Sequence, residues 1–260
     1  MADLLHGSLF TGIGGIDLGL ERAGFKTAWQ VEINQFSSQV LEKHWPSVRR
    51  YTDVRSVGKH NLSPVTIITG GSPCQDLSIA GKRAGLAGKR SGLWFEYARI
   101  VRELRPDWVL IENVDRLLRT DADQVIGPME EAGYTCWPLI LGAWCVGAAH
   151  RRNRAWILCH AHGDDGAGIR MADRWSVLQA KVGALAEENQ VGCGGFDELV
   201  PGDGVPEPDS YRRIVRGAHG LPDRLDRLKA LGNAVVPQIP MLIGQFVRAC
   251  EEAKISLPSG

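Results

Sequence analysis

Apolar and polar positions alternate along the chain in patterns that predict strands and helices in turn. Apolar runs bounded by turn residues predict strands at 7–10, 27–31, 65–69, 107–114, 134–141 and 155–158. Apolar residues at helical spacing predict helices at 16–23, 93–104, 121–133 and 239–253. Because strand and helix alternate throughout, the predicted fold class is α/β, with a doubly wound mixed sheet.

A cysteine follows the strand predicted at 65–69, within the segment Gly-Gly-Ser-Pro-Cys-Gln at 70–75. The two glycines let the backbone turn sharply, and Pro73 stiffens the residue before the thiol of Cys74. This arrangement places the sulfur at the carboxyl edge of the sheet, where open α/β folds bind their ligands. A free cysteine taken alone is more often a small buried hydrophobe, so its neighbours decide whether Cys74 is a nucleophile.

Two other predicted strands also carry reactive side chains at their ends. Glu112 and Asn113 end the strand at 107–114, and Arg152 and Arg154 lead into a third strand. Alternation along that third strand predicts both arginines on one face. Taken singly, Glu112 can cap the segment that follows it, and an arginine cluster is most often a solvated face or a phosphate site. Together with Cys74, these groups indicate one shared site.

A glycine turn near the start of the chain indicates a ligand cradle. The turn at 11–15 joins a strand to a helix, and bare backbone there can approach a nucleotide-like ligand closely. The spacing does not fit the dinucleotide fingerprint cleanly, but Glu32 ends the next strand about twenty residues on. An acid at that position can accept both hydroxyls of a ribose. From the residues alone, Asp53 is better explained as a helix cap before Val54.

Composition narrows the class of protein. The 30 basic and 30 acidic residues balance, so any basic face that binds nucleic acid must be local. The first residues lack a signal-peptide pattern, and no stretch reaches the roughly 18 apolar residues of a membrane span, so we expect a cytoplasmic enzyme. The six cysteines show no paired C-x-x-C spacing, which predicts neither a disulfide framework nor a zinc ribbon. Cys159, His160 and His162 are too crowded to close a metal site, so no metal is expected.

Six sequence blocks, in order, resemble those of the DNA (cytosine-5) methyltransferases of bacteria and phages. The blocks are Leu9–Gly15, Glu32, Asp53–Val54, Ser72–Gln75, Glu112–Val114 with Arg152 and Arg154, and Gly232–Pro237. The last block is similar to the compact phage-type form of the family. The resemblance implies a class I, Rossmann-like fold and S-adenosyl-L-methionine as the cofactor.

The resemblance also implies which residues form the cofactor site. Glu32 would hold the ribose of S-adenosyl-L-methionine, Asp53 would meet the adenine amino group, and the block at 233–235 would complete the pocket. The full set implied is Phe10, Gly12, Gly14, Gly15, Ile16, Glu32, Ile33, Asp53, Val54, Pro73, Leu93, Asn233, Ala234 and Val235.

The chemistry implied by the resemblance is methyl transfer to C5 of a cytosine flipped out of double-stranded DNA. Cys74 would add to C6, Glu112 would hold N3 and the amino group, and Arg154 with Arg152 would stabilise the O2 side. A basic loop at 76–89 would close over the minor groove. The DNA-binding residues expected are Gln75, Ser78, Gly81, Lys82, Arg83, Lys89, Arg90, Arg212 and Arg213.

The expected organisation is a catalytic and cofactor-binding domain at 1–158, a short target-recognition region at 159–210, and a segment at 211–260 that completes the catalytic domain. The middle region is acidic and short, so we expect few base contacts and a recognition site of about two to four base pairs. A monomer is expected. Two alternatives stay open: a tRNA cytosine-5 methyltransferase, although its distinctive Cys-Phe-Thr segment is absent, and a catalytically silent regulator that binds DNA or cofactor.

Overall fold

A computed structural model of the chain describes residues 3–72, 92–148, 150, 152–161, 178 and 224–255. The strands in these ranges are β1 (Leu5–Leu9), β2 (Lys26–Val31), β3 (Arg49–Tyr51), β4 (Ile67–Gly70), β5 (Trp108–Val114), β6 (Tyr134–Gly142) and β7 (Asn153–Ala161). The α-helices are α1 (Gly15–Arg22), α2 (Gln35–His44), α3 (Gly92–Leu104), α4 (Leu117–Thr120), α5 (Ala122–Glu131), α6 (Arg224–Asn233) and α7 (Gln238–Ile255).

The described strands form one sheet in the order β3-β2-β1-β4-β5-β7-β6. Strands β1 to β5 pair in parallel, whereas β7 runs antiparallel between β5 and β6. The strand order reverses between β1 and β4, so loops leaving these two strands diverge at their carboxyl ends. That divergence opens the crevice in which doubly wound sheets bind ligands.

The sheet is buried on both faces, as the uninterrupted apolar runs of its strands require. Val109 and Ile111 face one apolar cluster that includes α3 and Met129 of α5. Trp108 and Leu110, which alternate with them, face a second cluster that includes α1 and α7. The predicted doubly wound mixed sheet is therefore confirmed.

Two predicted helices are present in the structure with ends shifted by one or two residues. The helix predicted at 121–133 corresponds to α5, which begins at Ala122 and ends at Glu131, and the separate short helix α4 precedes it; Gly133 then adopts a φ of 82°. The C-terminal helix α7 places Ile239, Ile243 and Val247 in the cluster shared with α1. Among the described residues, one helical segment, 230–253, is long and apolar enough by composition to cross a membrane, a test that core helices of this kind also pass.

The structure pairs two cysteines across neighbouring strands. Cys136 on β6 lies directly opposite Cys159 on β7, with the Cα atoms 4.1 Å apart, and the two form a disulfide. The expectation of no disulfide is therefore wrong at this pair, because the partners are joined by antiparallel register and not by sequence spacing. His160, next in the chain, is buried with its ring centroid 4.3 Å from that of Trp108. His162 lies outside the described residues.

Candidate active site

The turn between β1 and α1 has the backbone shape of a ligand cradle. Phe10, Gly12 and Gly14 all have positive φ, at 53°, 59° and 83°, and Gly14 precedes the first residue of α1. Positive φ costs glycine little, but it is unusual for phenylalanine and is typical of backbone constrained by a functional site. The turn exposes peptide N–H groups at the start of a helix, where anionic or polar ligand groups are favoured.

Glu32 connects this turn to the end of β2. One carboxylate oxygen accepts a hydrogen bond from the Gly12 amide and the other accepts one from the Asn34 amide, both at 2.7 Å. Burial raises the pKa of Glu32, although these amide hydrogen bonds oppose the shift. Ile33, beside it, is 70% exposed and offers an apolar surface at the mouth of the crevice. The Glu32 carboxylate suits the hydroxyls of a ribose, and the exposed Ile33 side chain suits the face of a flat heterocycle.

Other residues implied for the cofactor site serve the fold through their side chains. Asp53 caps the short 3-10 helix Val54–Ser56 by accepting from the Arg55 amide at 2.9 Å, and its carboxylate also pairs with the Arg55 guanidinium at 2.7 Å. These hydrogen bonds lower the pKa of Asp53. Val54 and Ile16 are buried in the two apolar clusters, so their side chains contribute to the core. A contact of Asp53 with adenine stays a prediction.

A buried polar network below the turn was missed from the sequence. Asp17, on α1, accepts hydrogen bonds from Ser8 of β1 at 3.1 Å and from Gln30 of β2 at 2.9 Å. All three side chains are buried, and desolvation raises the pKa of Asp17 to about 6. The available signal was a carboxylate on the buried face of an amphipathic helix. The network fastens the start of α1 to β1, which borders the crevice, and to its neighbour β2.

The C-terminal segment reaches the same place. A Cβ atom on Gly15 would lie 2.7 Å from the carbonyl oxygen of Val235, so only glycine permits this approach. Gly19, one turn later, makes a similarly close approach to the carbonyl of Pro237. Asn233 is exposed and Ala234 is half-buried. The structure therefore brings the block at 233–237 against the first turn of α1, although some 220 residues separate them in sequence.

Glu112 and Arg154 form an ion pair at the carboxyl end of β5. Arg154 Nε lies 3.1 Å from Glu112 Oε1, and the two side chains are only 13% and 21% exposed, the arginine being the more exposed. The strand register explains the contact. Arg154 of β7 lies opposite Val114 of β5, and Val114 lies on the same face of β5 as Glu112. Burial raises the pKa of Glu112, and the nearby charges of Arg154 and Arg152 oppose that shift. A carboxyl group held toward its neutral form can donate a hydrogen bond as well as accept one.

The chain that leads to Cys74 passes beside Glu112. A Cβ atom on Gly71 would lie 2.6 Å from Glu112 Oε2, and Asn113 Nδ2 donates to the carbonyl of Ser72 at 3.3 Å. The start of the cysteine segment is thus fastened to the end of β5. Several predicted site residues lie outside the described residues, namely Pro73, Cys74, Gln75, Ser78, Gly81, Lys82, Arg83, Lys89, Arg90, Arg212 and Arg213.

Arg152 occupies a different position from Arg154. It lies one residue before β7, where its φ of 35° is not that of extended backbone, so strand alternation does not determine its direction. Its Nη1 donates to the carbonyl of Gly232 in α6 at 2.7 Å. The two arginines therefore share the neighbourhood of Glu112 but make different contacts.

Comparison with known proteins assigns this arrangement to a family. The family model for C-5 cytosine-specific DNA methylases matches residues 6–188. The chain belongs to that family. It is 36% identical over 159 residues to the type II methyltransferase M2.BsuMI of Bacillus subtilis, in a match that covers 58% of this chain and 40% of the relative. The match thus spans less than half the length of that relative.

Two solved methyltransferase structures share the fold of this chain. An Escherichia coli protein described as a prophage-encoded DNA modification methyltransferase superposes with a TM-score of 0.51 at 28% identity, covering 61% of this chain and 47% of that one. The methyltransferase EhMeth of Entamoeba histolytica gives a TM-score of 0.65 at 14% identity, covering 96% and 99% of the two chains. The fold is the class I, Rossmann-like methyltransferase fold.

Leu93, which belongs to the set implied for the cofactor site, packs against the core of the fold. Leu93 is partly buried against the cluster that contains Trp94, near the start of α3. Trp94 is itself buried and donates from its indole nitrogen to the carbonyl of Gln124 at 3.1 Å. The aromatic residue is therefore part of the core, and a contact of Leu93 with cofactor stays a prediction.

Proposed function

We propose that this chain transfers a methyl group from S-adenosyl-L-methionine to C5 of cytosine in double-stranded DNA. The observation that carries the proposal is the part-buried Glu112–Arg154 pair, which abuts Gly71, three residues before Cys74, at the edge of the sheet that also carries the glycine turn. A part-buried acid and a ligand cradle lie at one sheet edge, and the chain leaves that edge through Gly71 and Ser72 towards Cys74, an arrangement that suits methyl transfer to a heterocyclic base.

The residues present fit S-adenosyl-L-methionine. Glu32 has oxygens that can accept the ribose hydroxyls in addition to the two amides, and exposed Ile33 can cover one face of the adenine. The N–H groups at the start of α1 suit the carboxylate of the amino-acid end. The cofactor would supply an electrophilic methyl group on sulfur. The chain's own residues would bind it in a fixed orientation.

Cytosine C5 is a poor nucleophile, and in this proposal Cys74 makes it reactive. The thiolate forms a bond to C6, and the electrons of the C5–C6 double bond become available at C5. C5 then forms a bond to the methyl group while the bond between that methyl and the sulfonium sulfur breaks, and the electron pair stays on sulfur in S-adenosylhomocysteine. Loss of the C5 proton to a base then restores the double bond and breaks the bond between sulfur and C6. Cys74 is regenerated, and with solvent water as the base that accepts the proton every atom and electron pair is accounted for.

Glu112 has the properties needed to assist this addition. Addition at C6 places negative charge on the ring, and protonation or hydrogen bonding at N3 stabilises it. The raised pKa of Glu112 favours the protonated form that can donate to N3, and its other oxygen can accept from the amino group. Arg154, 3.1 Å away, orients the carboxyl group and adds positive charge on the O2 side.

A cytosine stacked in a duplex cannot reach a crevice at the edge of a sheet. The proposal therefore includes extrusion of the target base, at a cost of a few kcal/mol. The basic loop that follows Cys74 and the arginines at 212 and 213 would contact the DNA, and a monomer in the cytoplasm fits this activity. The short acidic region at 159–210 would read a short site.

Transfer of tritiated methyl groups tests the proposal. Purified protein is incubated with labelled S-adenosyl-L-methionine and either double-stranded DNA or bulk tRNA, and Cys74→Ala serves as the matched control. We expect label in DNA as 5-methylcytosine, and background counts with tRNA or with the variant. Label in tRNA alone would assign the alternative RNA activity. Cofactor binding without transfer to either substrate would assign a silent regulator.

A further inference from the structure

We propose that Arg152 is a positioning residue, which holds the cofactor-facing segment 234–237 against the strand that carries Arg154. The inference rests on the proposed function, since it concerns how the same site is assembled. It gives Arg152 a role other than the contact with cytosine O2 implied by the family resemblance. The observation is the hydrogen bond from Arg152 Nη1 to the carbonyl of Gly232, at 2.7 Å across 80 residues of sequence.

The position of Gly232 explains why an arginine is effective there. Gly232 is the last residue but one of α6, and the final carbonyls of a helix have no partner within the helix. A guanidinium group satisfies such a carbonyl and also complements the negative end of the helix dipole. Arg152 itself has a φ of 35°, a backbone conformation that is rare outside glycine and persists only when surrounding contacts hold it.

The contacts continue from α6 to the ligand cradle. The Ala234 amide donates to the Leu231 carbonyl at 3.2 Å, which turns the chain at the end of the helix. Val235 then meets Gly15, where the close approach leaves no room for a side chain. Gly15 begins α1, immediately after the turn whose Gly12 amide binds Glu32. A continuous path of contacts therefore joins the start of β7 to the cofactor turn.

This path separates the roles of the two arginines. Arg154 acts at Glu112 and is expected to affect the chemical step. Arg152 acts through Gly232, so its loss should loosen the segment 234–237 and weaken cofactor binding first. A charge-assisted hydrogen bond of this kind corresponds to roughly a tenfold or greater change in an equilibrium constant. If Arg152 had only a structural role, its replacement would lower the free energy of unfolding, and it would not weaken cofactor binding more than replacement of Arg154 does.

Calorimetric titration with S-adenosylhomocysteine, the unreactive product, tests the inference in the full-length chain. We expect Arg152→Gln to weaken binding about tenfold or more and Arg152→Lys to recover part of the loss. Arg154→Lys should lower kcat while its dissociation constant stays within about threefold of wild type. Arg248→Gln is the charge control, because it removes an exposed guanidinium from α7 that pairs with Glu252, and binding should not change.

Hydrogen–deuterium exchange of the peptide spanning 230–237 provides a second readout, since Arg152→Gln should speed exchange there and Arg248→Gln should not. Equal affinity in wild type and Arg152→Gln would overturn the inference, as would a variant whose only defect is a higher KM for DNA. If Arg152→Gln does not fold, the same comparison is made with Arg152→Lys, where wild-type affinity and exchange would overturn it. Failure of the wild type itself to bind S-adenosylhomocysteine would instead overturn the proposed function.

Discussion

Asp17 makes a quantitative prediction about stability. Desolvation raises its pKa from 3.8 to about 6, and its partners Ser8 and Gln30 are neutral. An acid whose pKa is raised by folding favours the folded state while it is protonated, so that advantage is present below its unfolded pKa and is lost as pH rises through its folded pKa. At about 1.36 kcal/mol for each pKa unit, the full loss is about 3 kcal/mol, of which about 2 kcal/mol falls between roughly pH 4.5 and pH 7.5.

Replacement by asparagine should remove this pH dependence. In Asp17→Asn the new side-chain carbonyl can still accept from Ser8, and the new amide can donate to Gln30 Oε1, which accepts no hydrogen bond within the part of the chain that the structure describes. Urea unfolding is measured for both proteins across that pH range. The free energy of unfolding of Asp17→Asn minus that of wild type should rise by about 2 kcal/mol from the acid end to the alkaline end.

Asp123 provides the matched control for this experiment. It also lies in the first turn of a helix, α5, but it is exposed. Asp123→Asn should therefore give a stability curve parallel to that of wild type. The reasoning is refuted if the stability curves of Asp17→Asn and wild type are also parallel. Parallel curves would mean that folding leaves the pKa of Asp17 unchanged, so its burial would carry no desolvation cost.

Three further predictions concern the site itself. Gly71→Ala should lower kcat about tenfold or more, because the new Cβ would displace the Glu112 carboxyl oxygen 2.6 Å away. Gly92→Ala, whose new Cβ would meet no atom of the described residues within 4 Å, should keep wild-type rates, and equal rates in both variants would show that the approach of Gly71 to Glu112 is unimportant. Glu32→Ala should weaken calorimetric binding of S-adenosylhomocysteine by roughly 1.5 to 3 kcal/mol, and unchanged affinity would leave Glu32 with only its contacts to the turn. Bisulfite sequencing of DNA from an expressing host should show methylation at sites of about two to four base pairs, since few side chains can read base edges; a single site of six or more would contradict this.

Features that depend on local pattern were predictable from the sequence. A few neighbouring residues are enough to predict the strands β4 and β5 and the glycine turn before α1. Buried parallel strands are locally apolar, and sharp turns are locally rich in glycine. Glu112 and the arginines stood out as reactive groups at strand ends. The ion pair between Glu112 and Arg154 could not be predicted from sequence spacing, because it requires β7 to lie antiparallel between β5 and β6.

Features that depend on register or on distant contacts were not predictable. The Cys136–Cys159 pair follows from the alignment of two strands, and a slip of one residue would separate the sulfur atoms. Asp17 was hidden among the apolar positions of α1, and only burial in the folded protein distinguishes it from a solvated acid. The hydrogen bond from Arg152 to α6 joins segments that no local rule connects.

The central claim is that Cys74 attacks C6 of a cytosine while the methyl group is delivered to C5. DNA that carries 5-fluorocytosine tests it most directly, because fluorine at C5 cannot leave as a proton does and the adduct cannot break down. With S-adenosyl-L-methionine present, wild-type protein should form a covalent complex that survives denaturation. Mass spectrometry should place the modified, methylated base on the peptide that contains Cys74. Methyl transfer to normal DNA without any trapped complex, or an equal complex in Cys74→Ala, would contradict the account.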